Sequence, residues 1–103
     1  MSKYGYMGVL RAQPGKRDEL AGILLEAAGG LQNYAGCLLY VVTKDEKDED
    51  AVRVWEIWES KEEHDNSLKL PATRELITKA MPLLNGMPEG TALEVLGGKG
   101  SGF

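Results

Sequence analysis

The sequence predicts a one-domain α+β fold in which strands and helical segments follow as βαββαβ. Three observations carry that expectation. Two runs rich in β-branched and aromatic residues, Cys37 to Thr43 and Ala51 to Glu59, flank a charged segment, Lys44 to Asp50, as the two strands of a hairpin do. Apolar residues recur at helical spacing in two other segments, at Leu20, Ile23, Leu24 and Ala27 and at Leu76, Ile77, Ala80, Met81 and Leu84. Single strand-like runs stand at either end, Tyr4 to Ala12 and Thr91 to Leu96.

The first strand places Tyr4, Tyr6, Gly8 and Leu10 on one face and Met7 and Val9 on the other. Pro14-Gly15 breaks it, and a helix follows from Lys16 to Ala28, closed by Gly29-Gly30. Leu31 to Gly36 connects to the second strand. The hairpin loop is too polar to bury. It lacks both the ligand spacing and the central glycine of a calcium loop, and so reads as a solvated turn. After the third strand, Ser60 and Glu63 form the S-x-x-E signature of a capped helix start. That helix runs to about Leu70. Pro71 interrupts it, because the residue before a proline is pushed out of the helical region. A further helix covers about Thr73 to Leu84, and Asn85 to Gly90 turns into the last strand. The order is that of ferredoxin-like domains, with the helices on one face of a four-stranded antiparallel sheet. The domain is expected to span 1–96, with 97–103 as a mobile glycine-rich tail.

Composition narrows the partners. The 103 residues carry a net charge of -4, which argues against a nucleic-acid or anionic-membrane surface. No apolar run approaches the ~20 residues of a membrane span, and the N-terminus carries no export signal, so a cytoplasmic protein is expected. Cys37 is the single cysteine, which leaves no internal disulfide, and with His64 as the single histidine no recognisable metal cluster is expected. Neither a G-x-S-x-G elbow nor a nucleotide-binding glycine loop occurs.

The strands do not alternate between apolar and polar residues. Leu38, Tyr40 and Val42 oppose Cys37, Leu39 and Val41, while Val52, Val54, Glu56 and Trp58 oppose Arg53, Trp55, Ile57 and Glu59. Both faces are mainly apolar, yet helices cover only one. A bare second face would exceed what monomers usually expose, so a homodimer with sheets facing each other is expected. Tyr6, Gly8, Leu10, Val54, Glu56 and Trp58 are assigned to the barrel side, as an aromatic-lined pocket with few polar groups. Trp55 is assigned to the core beneath the helices. Glu56, among apolar neighbours, is a candidate proton acceptor, orienting group or ion-pair partner. His64, at the start of the capped helix, is a candidate general base.

From Trp55 to His64, W-E-I-W-E-S-K-E-E-H, the chain resembles the antibiotic biosynthesis monooxygenase domain family. Members carry a strand ending in E-x-W-E-S, a short acidic helix, a leucine, a proline and a second helix. Here these are Glu56, Trp58, Glu59, Ser60, Leu68, Pro71 and the segment 73–84. Arg11-Ala12-Gln13-Pro14-Gly15-Lys16 and Gly36-Cys37-Leu38-Leu39-Tyr40 resemble the first-strand exit and second strand of the family.

The resemblance covers nearly the whole chain and implies a dimeric α+β barrel. It implies quinol-monooxygenase-like chemistry without a cofactor, on a small aromatic, phenolic or quinol-type substrate, in a pocket between the sheet and helices of that barrel. The substrate supplies the electrons, and its anion reacts with O2. The protein supplies a base, donors for the developing oxyanion and a dry cavity. Carried over residue by residue, the resemblance implies His64 as base, Glu56 as orienting group, and Trp58 and Tyr6 as pocket wall, with Val54 and Leu10 beside them. Ser67 and Ala72 stand where quinol-type members often carry histidines. Gly8 and Ile77 stand where haem-degrading relatives carry an asparagine and a histidine, so haem is not expected. Two alternatives stay open on the sequence: a non-catalytic barrel holding a small hydrophobic ligand, and a structural dimer with a filled interior.

Overall fold

The structure is a computed structural model that describes residues 2–100. The elements are β1 (Lys3–Arg11), α1 (Arg17–Gly30), β2 (Cys37–Lys44), β3 (Ala51–Trp58), α2 (Lys61–Ser67), α3 (Pro71–Ala80) and β4 (Glu89–Val95), with a 3-10 turn over Met81–Leu83. The sheet is antiparallel throughout, in the order β2-β3-β1-β4. This is the ferredoxin-like α+β arrangement expected from the sequence. Residues 101–103 of the expected tail lie outside the described residues.

Local chemistry sets the boundaries. Gly15 takes a positive φ of 80° in the turn before α1, a conformation in which a Cβ would be strained. Gly29 and Gly30 continue α1 rather than closing it, and the Leu31 amide caps the helix by donating to the carbonyls of Ala28 and Gly29. Ser60 is the N-cap of α2, with its hydroxyl accepting from the Glu63 amide. A cap of this kind is worth about 1 kcal/mol. Pro71 begins α3 instead of merely ending α2. Its fixed φ suits the first helical position, and Leu70 before it is extended (ψ 136°).

The helices lie on the face that carries Val52, Val54, Glu56 and Trp58, with Tyr4, Tyr6, Gly8 and Leu10 beside them on β1. The expected parity is therefore inverted. Val54 and Trp58 are buried beneath helices, whereas Trp55 is 44% exposed on the open face. Hydropathy does not separate two faces that are both mainly apolar. In the folded chain the Glu56 carboxylate lies mostly buried on the helix-covered face, where it accepts from the Trp58 indole. The open face, which carries Val41, Trp55 and Leu93, remains a broad apolar surface.

The packed core occupies one end of the sandwich. Ala12, Leu20, Ala21, Val52, Val54, Ala80 and Leu83 close on one another there. Toward the other end the helices do not close on the sheet. Helical spacing puts Ile23, Leu24, Leu76, Ile77, Met81 and Leu84 on buried helix faces, but Ile23, Leu24, Leu76 and Leu84 are only half-buried around a cavity, and Ile77 and Met81 stand at its exposed rim.

Candidate active site

The register of β3 against its two neighbours builds the site. Glu56 pairs with Tyr6 of β1 on one side and with Tyr40 of β2 on the other, and Trp58 pairs with Tyr4. Three residues beyond Trp58, after the Ser60 cap, α2 begins. It turns back over the same face and lays His64 on the strand ends. The His64 ring centroid lies 5.0 Å from Tyr6, 5.3 Å from Tyr4 and 5.5 Å from Trp58. Trp58 is wholly buried, and Tyr34 meets it edge-on at 6.0 Å.

The polar contacts are few and directed. The Trp58 indole Nε1–H donates to Glu56 Oε1 at 3.0 Å. His64 Nδ1 lies 3.0 Å from Asp65 Oδ1. A carboxylate only accepts, so this contact places the neutral-ring proton on Nδ1 and leaves Nε2 as the acceptor. His64 Nε2 faces Glu56 Oε1 at 3.9 Å, too long for a hydrogen bond. Asp65 is itself held by Lys61 at 2.7 Å. The two hydrogen bonds, first from Lys61 and then from His64, keep its carboxyl below the usual range. The opposite holds at Glu56. Burial raises its pKa, against the Trp58 hydrogen bond and the nearby His64 charge, which lower it. Burial also raises the Tyr40 phenol, with the Glu56 charge adding to the effect, so Tyr40 stays a neutral hydrogen-bond donor.

These groups line a chamber of about 200 Å³ between the sheet and the helices. Glu56, Trp58, His64 and Tyr6 meet there, together with Tyr40, Ser67 and Thr73. Val54 and Leu10 do not join it. Val54 lies in the packed core, and Leu10 lines a neighbouring cavity. Tyr40 and Ser67 had no place in the sequence-derived site. Tyr40 was within reach of sequence reasoning, because closing the hairpin between Lys44 and Val52 brings it opposite Glu56. Gly90 was not. The Tyr6 ring lies across it, and a Cβ at that position would overlap the Tyr6 hydroxyl and Cζ. Glycine there lets Tyr6 lie flat as the floor of the site.

The raised pKa of Glu56 has a stability consequence with a definite sign. A carboxyl whose folded pKa exceeds its ordinary value of 4.5 keeps its proton longer in the folded chain than in the unfolded one. Its contribution is full below about pH 4.5 and is lost as pH rises through the folded pKa. The lowered carboxyls of Asp45 and Asp48 act in the opposite sense, below the ordinary aspartate value of 3.8. Glu56→Gln keeps an acceptor for Trp58 and removes the titration. The gain of this variant over the parent should therefore grow from pH 4.5 upward and then level off. Melting temperatures taken from pH 4 to pH 8 check this, and parallel profiles would refute it.

The sequence profile of the family described as antibiotic biosynthesis monooxygenase matches residues 4–79. The chain belongs to the antibiotic biosynthesis monooxygenase family. The match runs from β1 to the end of α3 and so takes in every residue of the chamber. A candidate antibiotic biosynthesis monooxygenase from Chloroflexus aurantiacus is 42% identical, over 98% of this chain and 100% of that one, with a TM-score of 0.88. A second candidate of the same kind, from Caulobacter crescentus, is 23% identical over 93% and 92% of the two chains, with a TM-score of 0.87. A conserved protein from Methanosarcina mazei is 15% identical over 92% and 94%, with a TM-score of 0.85. At those identities the latter two share the fold alone. No curated protein sequence matches this family member. Among the described residues no helix is long and apolar enough to cross a membrane.

Proposed function

We propose that this family member is a monooxygenase that oxidises a small phenolic or quinol-type aromatic with O2, without a bound cofactor. The observation that carries the reading is the His64–Glu56 pair, enclosed by the rings of Tyr4, Tyr6, Tyr40 and Trp58 in a chamber between sheet and helices. His64 Nε2 takes the hydroxyl proton of the substrate. Asp65 holds the ring in the tautomer that allows this and stabilises the imidazolium that results. Glu56, held by the Trp58 indole, orients the substrate beside His64. Tyr40 and the aromatic walls exclude water and orient the ring. The electron-rich anion then reduces O2. One oxygen atom enters the product, the other leaves as water, and the substrate supplies every electron.

We further propose that two chains pair through the open faces of their sheets, burying Val41, Trp55 and Leu93. Light scattering at micromolar concentration should give twice the mass of one chain. A single-chain mass would refute the pairing.

The activity is tested by oxygen uptake with a panel of hydroquinones and phenols under 18O2. Uptake with one labelled oxygen in the product is expected. Ligands that bind without uptake or label would overturn the catalytic reading and leave a binding barrel.

A further inference from the structure

The chamber around His64 is not closed. It shares Ala27, Tyr40, Leu68 and Thr73 with a second cavity of about 610 Å³ that runs between α1, α3 and the sheet toward Met87. The two spaces differ in chemistry. Aromatic and ionisable side chains gather around the first. The second is lined by Leu10, Ile23, Leu24, Leu76, Ile77 and Leu84, with Tyr40 at the junction as its one aromatic. Size separates them as well. Ordinary small-molecule sites occupy ~300–1,000 Å³. The first chamber alone, at about 200 Å³, falls short of that range, and the second lies within it. Met81 and Met87, 64% and 89% exposed, flank the opening of the second cavity, where flexible thioethers adapt to a passing chain.

We propose that the ligand is an amphiphile, a phenol or quinol ring that carries an aliphatic tail. The ring sits between Trp58, Tyr6 and His64, and the tail threads past Tyr40 into the aliphatic chamber. The identity of the ring as a phenol rests on the function proposed above. The two-chamber division rests on the lining residues alone. Aromatic walls suit a planar head, and aliphatic walls without charges, whose side-chain hydroxyls are those of Tyr40 and Thr73 at the junction, suit an apolar chain. The junction residue Tyr40 sits opposite Glu56, so the point where head meets tail is set by the register of the hairpin.

The test is a binding series of phenol, 4-butylphenol and 4-octylphenol, read by the quenching of tryptophan fluorescence and by calorimetry on the full chain. Affinity should rise roughly three- to fourfold for each methylene that the chamber admits. Two rim variants, Ile77→Trp and Met81→Glu, should flatten that slope, the first by filling the chamber and the second by placing a charge on its edge. Both positions are exposed enough to tolerate the change. Equal affinity along the series would overturn the proposal. So would an undiminished slope in both variants, which would put the tail elsewhere, as on the open sheet face. Oxygen uptake, measured in parallel with hydroquinone and octylhydroquinone, separates the two readings. A chain-length effect on binding without uptake removes the oxygenase reading and leaves the amphiphile site. Uptake without a chain-length effect does the reverse.

Discussion

Trp58→Ala should cost about 3–5 kcal/mol of stability, the largest loss expected from one side chain here. Trp58 is among the largest fully buried side chains, at 1% exposure, and its removal opens a cavity under α2. The loss is not only one of volume. The indole N–H is the hydrogen-bond donor to Glu56, and without it a buried carboxyl loses its partner. Against a typical total of ~5–15 kcal/mol, such a loss leaves a marginal fold. The melting temperature should fall by roughly 12–40 °C for a domain of this size. Trp58→Phe divides the two contributions. It keeps most of the ring and removes the donor, so it should cost about 1–3 kcal/mol. Denaturant titrations of both variants decide the matter. Equal losses would mean that packing contributes nothing beyond the hydrogen bond, and an unchanged stability in Trp58→Phe would mean that the hydrogen bond contributes nothing beyond packing.

His64→Ala should lower turnover by about 10²- to 10⁴-fold on any substrate that the parent oxidises, the usual contribution of a placed general base. Binding should change far less, because Trp58, Tyr6 and Tyr40 still form the walls. The variant also leaves a ring-sized gap against Tyr4 and Tyr6. Imidazole added to the solvent should refill that gap and restore part of the rate, whereas benzene, which fills the same volume without a basic nitrogen, should not. Oxygen uptake with each additive makes the comparison. Turnover unchanged by the substitution would remove His64 as the base.

Much of the fold was legible in the sequence because different signals agreed. The S-x-x-E cap, Pro71 and the hairpin loop each marked a boundary by local chemistry, and each boundary lies within a few residues of the observed one. The facing of the sheet was not legible from hydropathy, since the strands are apolar on both sides. A different clue lay in the chain. Ser60 starts a helix directly after β3, and a helix that covers the sheet carries its residues to the covered side. His64 therefore had to meet the side chains of that face, which are Trp58 and Glu56 and not Trp55. The second chamber left no sequence signal at all. Leu20, Ile23, Leu24 and Ala27 have the same helical spacing whether they close on a sheet or stand back from it, and only the packing tells the two apart.

The brevity of α2 carries a consequence of its own. At 7 residues it falls well below the ~12–15 at which a helix becomes marginally stable by itself. Its order depends on the Ser60 cap, on the Ser67 hydroxyl donating to the His64 carbonyl at 2.6 Å, and on the aromatic rings beneath it. The proposed base is thus mounted on a short helix with little conformational autonomy. A molecule that fills the chamber completes the surface against which α2 folds, so occupancy of the site and local folding of the helix form a single equilibrium. Part of any binding free energy is then spent on ordering those roughly two turns of helix, and ligands of equal contact area differ in affinity according to how well they support it.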